Sequence, residues 1–354
     1  MLRKFSVVLV LLVLLFGATG CITLNKKTTT TTNLGGVFFT DDRFENWSHR
    51  SKLMTPSDTP GTIGDVNAYF IRFDPSDSSA IYLGTKANGL YYSYTGGNGW
   101  TKSKNLPEGF IRDLVIDSKD KCTSYAAVGS KVYRSEDCTR NWERVFMADK
   151  AGVYVSSLGH DWFDSNIVYA GLSDGSLLKS SDYGVSWKLS NKFPNRVVKI
   201  IVDPNDSRVL YAGIMNGGLY KTVDKGDKWE DLNKQMKDFS SSKIYFDFVV
   251  SKSQKNLVLY ANKFGMLKSL DGGTTWSEVK LLTQPSEERI YSLDIDPSSA
   301  SHVYYSTDKA IYKTLDGGEN WVVKKMPTAR IAGEIAVHPE KGNNIFVGVK
   351  TITQ

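Results

Sequence analysis

The sequence predicts an all-β protein: a single seven-bladed β-propeller of four-stranded antiparallel blades, with the last blade closed by both termini. Three observations support this prediction. A turn motif ending in tryptophan recurs seven times, with tryptophans at positions 47, 100, 142, 187, 229, 276 and 321. A second turn signal, Asp-Pro or a relative of it, stands upstream of this motif in most repeats. The two termini are out of phase with the repeat, so that each supplies half of one blade.

The turn motif has the form Ser/Thr-x-Asp-x-Gly-x-x-Trp, and its spacing of 42 to 53 residues matches one propeller blade. Its Ser/Thr and Asp side chains can hydrogen-bond to the backbone of a tight turn between the third and fourth strands, and its Gly can adopt a positive φ. The Trp is expected to pack against the next blade. Two copies, Thr40–Trp47 and Ser135–Trp142, lack the Gly, and Ser93–Trp100 lacks the Asp. We interpret the aspartates of the motif as structural and not catalytic: Asp42, Asp137, Asp182, Asp224, Asp271 and Asp316.

The repeat around Asp296-Pro297 shows the strands most clearly. Tyr291, Leu293 and Ile295 alternate with polar residues, as in a half-buried first strand that ends at this turn. Residues 303–306 and 310–314 follow as second and third strands. At the ends of the chain, residues 36–40 have the pattern of a third strand, whereas 332–338 and 344–350 have those of a first and a second. Together these ends complete one blade and leave no open sheet edge.

The N-terminus has the pattern of a secretory signal. Arg3 and Lys4 precede an apolar run over residues 7–16, which is too short to span a bilayer as a permanent helix. Residues 18–21, Ala-Thr-Gly-Cys, resemble the bacterial lipobox, in which the cysteine is lipidated and becomes the mature N-terminus. We therefore expect a signal peptide over 1–20, a lipidated Cys21 with a flexible tether over 21–34, and the propeller over 35–354. The alternative is an ordinary signal peptide in which Cys21 falls near the cleavage site by chance.

The lipobox resemblance predicts that the protein is extracytoplasmic and lipid-anchored in the bacterial cell envelope. The formal net charge is +6, and loss of Arg3 and Lys4 lowers it to +4 (6 − 2), which suits anionic partners without demanding them. In an oxidising compartment the two remaining cysteines, Cys122 and Cys138, favour a disulfide, because the two turns that carry them should lie on the same face of one blade. Two free thiols are the alternative.

The repeats resemble the Asp-box (BNR) repeat superfamily over nearly all of residues 35–354. Sialidases, xyloglucan-cleaving hydrolases, sortilin-type receptors and photosystem II assembly factor-like propellers share this motif, so it is specific for the repeat and not for a function. The seven-blade count and the single propeller are most similar to the assembly factor-like group; sortilin-type domains are larger and match in their repeat units only. The resemblance implies a non-catalytic binding propeller.

Two enzyme classes with this repeat fit the sequence less well. A sialidase is expected to have an arginine triad, a Tyr–Glu pair and a Phe-Arg-Ile-Pro segment, and the nearest run, Phe70–Pro75, is better interpreted as a strand. The xyloglucan-cleaving family uses two propellers, and Lys86 stands here where that family's first blade is expected to carry a carboxylate. Because we find no carboxyl pair suited to glycoside hydrolysis, we predict no catalytic residues. A glycan-active propeller, either a glycoside hydrolase or a carbohydrate-binding relative, remains the alternative.

Metal and cofactor sites are not predicted either. The sequence contains no phosphate loop and no nucleophile elbow. Its four histidines lack the spacing of metal ligands: His49, His160, His302 and His338. We expect no cofactor, no nucleic-acid partner and a monomer.

A ring of cations is the candidate ligand site. The loops that enter the first strands surround the central channel on one face of a propeller, and their varied lengths suit function better than the short motif turns on the other face. Five blades carry a cation near this level: Arg112, Arg196, Lys243, Arg289 and Arg330. If they converge, they create a positive field suited to an acidic protein segment or an anionic glycan. The alternative is that basic residues merely flank the strands.

Overall fold

The fold is described here from a computed structural model, for residues 32–55, 61–283 and 286–352. In chain order, blade 7 begins with β1 (Gly36–Thr40) and β2 (Ser48–His49), and blade 1 contains β3 (Ala68–Phe73), β4 (Ile81–Thr85), β5 (Leu90–Ser93) and β6 (Thr101–Lys102). Blade 2 contains β7 (Ile111–Ile116), β8 (Ser124–Val128), β9 (Lys131–Ser135) and β10 (Glu143–Met147). Blade 3 contains β11 (Val155–His160), β12 (Val168–Leu172), β13 (Ser176–Ser180) and β14 (Lys188–Lys192).

The second half continues the same four-strand pattern. Blade 4 contains β15 (Val197–Val202), β16 (Leu210–Ile214), β17 (Gly218–Thr222) and β18 (Glu230–Asp231). Blade 5 contains β19 (Tyr245–Val250), β20 (Val258–Asn262), β21 (Gly265–Ser269) and β22 (Ser277–Val279). Blade 6 contains β23 (Ser292–Ile295), β24 (Val303–Ser306), β25 (Ile311–Thr314) and β26 (Val322–Lys324). The chain returns to blade 7 with β27 (Ile331–Val337) and β28 (Ile345–Lys350).

Seven antiparallel four-stranded sheets therefore form within the described ranges, and the predicted seven-bladed propeller is confirmed. The first strand of each blade contacts the first strand of the next, from β3 and β7 around to β27 and back to β3. Blade 7 has the strand order β2-β1-β28-β27, with Gly36 opposite Val349 and Thr40 opposite Ile345. The closing blade is thus shared between the two ends of the chain, as the out-of-phase termini predict.

The core is divided among the interfaces between blades. Each of seven apolar clusters joins two adjacent blades; that between blades 3 and 4, for example, joins Tyr169 and Leu177 to Val197 and Leu210. The tryptophan of each turn motif packs in the cluster shared with the preceding blade, whereas the sequence led us to expect the next one. The right-handed twist of the sheet gives the physical reason, because it carries the outer edge of each blade toward the blade before it.

The motif turn is held by its own side chains. In blade 3 the Ser180 hydroxyl donates to Asp182 Oδ1 at 2.7 Å and accepts from Gly184 N–H at 2.8 Å, while Asp182 Oδ1 also accepts from Ser186 N–H at 2.8 Å. In the copies without glycine the backbone keeps this shape. Thr139 has φ 66° where the motif has Gly, and Phe44 has φ 74°. The side-chain hydrogen bonds therefore hold even non-glycine residues in the left-handed region.

Two segments outside the strands differ from a plain loop. The loop that leads from blade 4 into blade 5 contains a 3₁₀ helix, Leu232–Met236, capped by the Asp231 side chain. At the other end, Thr32 and Leu34 in the predicted tether accept hydrogen bonds through their carbonyl groups from the Thr328 hydroxyl. No helix in the described part of the chain is long and apolar enough to cross a bilayer.

Candidate binding site at the channel mouth

Three of the five predicted cations meet in one cavity. This cavity has a volume of about 390 Å³ and lies where the first strands begin, at one end of the channel; we call it the mouth. Arg112, Arg196 and Arg289 line it, together with Lys350 near the C-terminal end of the described chain. The rest of the lining is Asn67, Ala68, Tyr69, Lys86, Phe110, Tyr291, Ile331, Thr351 and Ile352.

A backbone irregularity places Arg112 in this cavity. The pairing of β7 with β8 shifts register between Ile111 and Asp113, which leaves Arg112 as an extra residue in the strand. Such a bulge re-aims a side chain relative to regular alternation. The same shift occurs near the start of the first strand in five other blades, so it belongs to the repeat, whereas the arginine is particular to blade 2.

Aromatic rings hold two of the guanidinium groups. Arg112 Cζ lies 3.8 Å from the ring centre of Tyr154 and 4.2 Å from that of Phe110. Arg196 Nη1 donates a 2.8 Å hydrogen bond to the hydroxyl of the same Tyr154. Tyr69 packs edge-on against Phe110 at 4.5 Å. Arg112 thus rests on two rings and Arg196 on a hydroxyl group, and no ion pair with a carboxylate forms for either among the described residues, so their charge remains available to a ligand.

The opposite wall of the mouth is built in the same way. Arg289 Cζ lies 5.2 Å from the ring centre of Phe246 and 5.4 Å from that of Tyr291. Lys350 Nζ lies 5.7 Å from the Tyr291 ring centre. The two walls together form a pocket with an aromatic lining and cationic groups, which is the composition of a site for an anion attached to an apolar chain.

The charged side chains among the described residues that line the mouth are all positive. Among the described residues that line it, none is Asp or Glu. Burial lowers the pKa of Arg112, and the positive charge of Arg196 lowers it further. Burial also lowers the pKa of Lys350; Arg289 and Lys86 act in the same direction, and the negative charges of Glu334 and Asp247 act against it. The Arg112 Nε atom is buried and has no hydrogen-bond partner in the described part of the protein. A bound anion would relieve the repulsion between these cations.

The other two predicted ring members lie elsewhere. Arg330 donates to the carbonyl groups of Asn33, Asp65 and Val66 and to the side chain of Asn67, all at 3.2–3.3 Å, so its guanidinium fastens the entering chain beside the mouth. Lys243 is exposed on the loop with the 3₁₀ helix and lines a different cavity. The predicted ring of five is therefore reduced to three arginines at the mouth, joined by Lys350.

A second layer of charged side chains lies inside the channel and was not predicted from the sequence. Arg72 is bonded to Asp113 at 3.1 Å and to Glu334 at 2.9 Å, and Lys199 is bonded to Asp247 at 2.8 Å. We interpreted Arg72 from the sequence only as part of a strand. A charged residue four positions before the Asp, Ser or His that ends a first strand was the available signal, since Asp113, Lys199, Asp247 and Glu334 share this position, whereas Arg72 stands two positions before Asp74.

The channel carboxylates also have a structural task. Asp113 Oδ2 accepts from the backbone N–H of Leu158 in blade 3 at 2.9 Å, and Asp247 Oδ2 accepts from that of Leu293 in blade 6 at 3.0 Å. Each bond joins one blade to the next where the bulge interrupts the ladder. These carboxylates therefore serve the backbone, and they lie apart from the mouth, whose described lining contains no carboxylate.

The remaining predicted site residues are the three cysteines. Cys122 and Cys138 lie side by side with their sulfur atoms at bonding distance, and Cys138 N–H donates to the Cys122 carbonyl at 3.1 Å. Cys21 lies outside the described residues. In the part of the chain that the structure describes, no three His, Cys, Asp or Glu residues are grouped so that they could hold a metal ion.

Comparisons with known proteins support the repeat and the fold. The model of the family described as photosynthesis system II assembly factor YCF48 matches residues 211–350. YCF48 from Cyanidioschyzon merolae is 13% identical, with 84% of this chain and 97% of that chain covered and a TM-score of 0.60. A structure of YCF48 bound to D1 peptide is 14% identical, with 80% and 94% covered and a TM-score of 0.61.

A glycoside hydrolase has a similar fold. The GH74 xyloglucanase from Xanthomonas campestris is 18% identical, with 80% of this chain and 51% of that chain covered and a TM-score of 0.65. The chain thus spans about half the length of that enzyme. Identities this low show the fold alone. No protein with a curated description matches the sequence. The chain is thus a seven-bladed propeller built from a repeated turn motif, and its residues 211–350 are similar to the YCF48 family.

Proposed function

We propose that this protein is a lipid-anchored, extracytoplasmic binding propeller whose mouth holds an acidic segment of a partner protein and supports its assembly or retention. The observation that carries the proposal is the convergence of Arg112, Arg196, Arg289 and Lys350 on one cavity whose described lining contains no acid. The similarity to a propeller that has been solved with a bound peptide supports a protein ligand over a small molecule.

The chemistry of the mouth favours a carboxylate on an apolar or aromatic segment. Guanidinium groups bind carboxylates through two parallel N–H···O bonds, and those at the mouth are held by rings that restrict their motion. The rings of Tyr69, Phe110 and Tyr291 can contact the apolar part of the same segment. Binding would depend strongly on salt, because exposed charges are screened at high ionic strength.

Charge reversal at the mouth tests the proposal. We expect Arg196→Glu/Arg289→Glu to weaken binding of an acidic peptide at least tenfold, that is by about 1.4 kcal/mol or more. The probe is a fluorescent Glu- and Phe-containing decapeptide with a free C-terminus, titrated by anisotropy at about 50 mM and about 500 mM salt. Arg112 is left intact, because it packs between two rings and its removal could disturb the fold.

The matched control is Arg140→Glu/Lys228→Glu, which makes the same change of charge at exposed positions on two motif turns. Equal affinity of the mouth variant and this control for the peptide would refute the proposal. If an oligogalacturonate binds the wild-type mouth and the acidic peptide does not, the ligand is an anionic glycan and the protein-binding proposal is wrong.

A further inference from the structure

A second cavity lies at the other end of the channel, where the first strands end. It has a volume of about 210 Å³ and is lined by residues of blades 1 to 4. Phe73, Pro75, Val115 and Ile201 supply apolar walls, and Trp162 lies at its edge. We call it the distal cavity. Nothing in the proposed peptide binding at the mouth uses it.

Trp162 departs from the repeat. Seven of the eight tryptophans belong to the turn motif, and Trp162 is the exception. It follows Asp161 in the turn after the first strand, and Phe163 follows it. The equivalent turns of the other six blades have no aromatic residue at these two positions: Pro75-Ser76, Ser118-Lys119, Pro204-Asn205, Lys252-Ser253, Pro297-Ser298 and Pro339-Glu340. A feature found in one blade only is not required by the fold.

Hydrogen bonds fix this aromatic pair at the surface. The indole N–H of Trp162 donates to the Val202 carbonyl of blade 4 at 3.0 Å, and the Ser118 hydroxyl of blade 2 donates to the Trp162 carbonyl at 2.7 Å. Lys119 Nζ donates to the Phe163 carbonyl at 2.7 Å. Even so, Trp162 is 37% exposed and Phe163 is 54% exposed. The protein thus holds a rigid, solvent-facing indole beside a cavity, which lowers the entropic cost of binding a ligand there.

The charges in the wall of the distal cavity are compensated. Arg72 is bonded to Asp113 and Glu334, and Lys199 to Asp247. Burial lowers the pKa of His160, which keeps this side chain neutral near pH 7. The wall therefore suits an uncharged ligand, in contrast to the mouth. The side chains of Arg72 and Lys199 are still 33% and 30% exposed, so they can form further hydrogen bonds with hydroxyl groups.

We propose that the distal cavity binds a neutral carbohydrate, with one sugar ring stacked on Trp162. The C–H face of a sugar ring is weakly positive and packs against the negative face of the indole, while its hydroxyl edge can reach the polar groups of Arg72 and Lys199. A purely apolar side chain of a protein would fill the same space but would cover these polar groups without satisfying them.

The test uses four neutral oligosaccharides as probes: cellohexaose, a xyloglucan nonasaccharide, hexa-N-acetylchitohexaose and maltohexaose. Binding is measured by calorimetry and by tryptophan fluorescence up to about 10 mM sugar. We expect saturable binding of at least one of them, unchanged between about 50 mM and about 500 mM salt. Trp162→Ala should weaken it at least tenfold, and Trp162→Phe, which keeps a ring, should weaken it less.

The matched control is Tyr183→Asn, which removes another exposed aromatic side chain of blade 3 and suits the left-handed backbone at that position (φ 59°). Thermal unfolding shows whether each variant is folded. Absence of saturable binding by all four sugars overturns the proposal, as does equal binding by Trp162→Ala and the wild type. Trp162-dependent binding of an apolar peptide in place of the sugars assigns the cavity to a protein partner and also overturns it. Because the mouth variant Arg196→Glu/Arg289→Glu should bind sugar normally, the two proposals fail separately.

Discussion

Asp294 lies in the channel wall. Its side-chain oxygen atoms accept hydrogen bonds from the backbone N–H groups of Ile295 and Val337, both at 2.9 Å. Burial raises its pKa from 3.8 to about 7, and the neighbouring negative charge of Glu334 acts in the same direction. Between these two values the folded protein retains a proton that the unfolded chain loses. The stability that Asp294 contributes therefore falls as the pH rises from about 4 to about 7.

We predict that Asp294→Asn removes this part of the pH dependence, because an amide does not titrate. The difference in free energy of unfolding between wild type and variant should change with pH by at most about 1.4 kcal/mol per pH unit within that window. Denaturant unfolding at a series of pH values measures it. Asp227→Asn, at an exposed motif-turn position, is the control and should leave the slope unchanged. A constant difference between wild type and Asp294→Asn from pH 4 to pH 7 would contradict the assignment.

The sequence predicts the roles of residues whose hydrogen-bond partners lie nearby in the chain. The motif aspartates bond within their own turns, and their pKa values are lowered accordingly, as for Asp182, whose pKa falls to about 2 through bonds to Ser186 and Ser180. The partner of Asp113 is instead the Leu158 N–H of the next blade, which no local pattern reveals. Arg330 and Arg196 look equivalent in sequence, but only the fold brings the Asn33, Asp65 and Val66 carbonyls to Arg330.

Blade 2 carries the predicted disulfide, which joins the turn at Cys122 to the motif turn at Cys138. A bond there closes a loop of about 17 residues, which contributes roughly 3 kcal/mol in the chain-entropy model. We expect intact protein to gain the mass of two hydrogens on reduction and Cys122→Ser/Cys138→Ser to lose about that stability. The single variant Cys122→Ser, compared with the double variant, separates loss of the bond from the effect of a free thiol. No mass change on reduction would show two free thiols in the native protein.

Strand positions and blade closure could be predicted because both follow from a period of about 45 residues. Most strands pair with a close neighbour in sequence, and the closing pair of β1 with β28 follows from the out-of-phase ends of the chain. The direction in which the motif tryptophans pack could not be predicted from the sequence, because it depends on the twist of whole sheets. The bulges escaped prediction for a related reason. They lie inside a strand, where alternation changes by one residue, and only some of them are marked in the sequence by a charged residue such as Arg112 or Asp113.

For the whole molecule, the position of the chain entry matters to the proposed function. Thr328 and Arg330 fasten residues 32–34 next to Asn67, which lines the mouth. A chain anchored through Cys21 would reach the propeller over ten intervening residues, 22–31, which span at most about 35 Å when extended. If Cys21 is lipidated as proposed, the anchored chain enters the propeller beside the mouth.

We predict that the wild-type protein is recovered in the membrane fraction and partitions into detergent. Cys21→Ser should release it into the soluble fraction or leave it uncleaved, because it removes the thiol that carries the lipid. Fractionation, detergent partitioning and intact mass of the mature N-terminus measure this. Thr19→Ser, two residues away, is the control and should behave as the wild type. Wild-type protein found only in the soluble fraction would refute the anchor.

The shared closing blade also sets an order of events in time. β1 and β2 are synthesised first, yet β1 finds its partner β28 only after roughly 300 further residues have been made. Blades 1 to 6 can each form from contiguous chain, whereas blade 7 must wait for the last strand. Until then β1 presents an unpaired edge that could pair with another chain. Closure is therefore the step that separates a finished molecule from an incomplete one, and a nascent or shortened chain lacking β28 would be recognisable to a protease by that open edge.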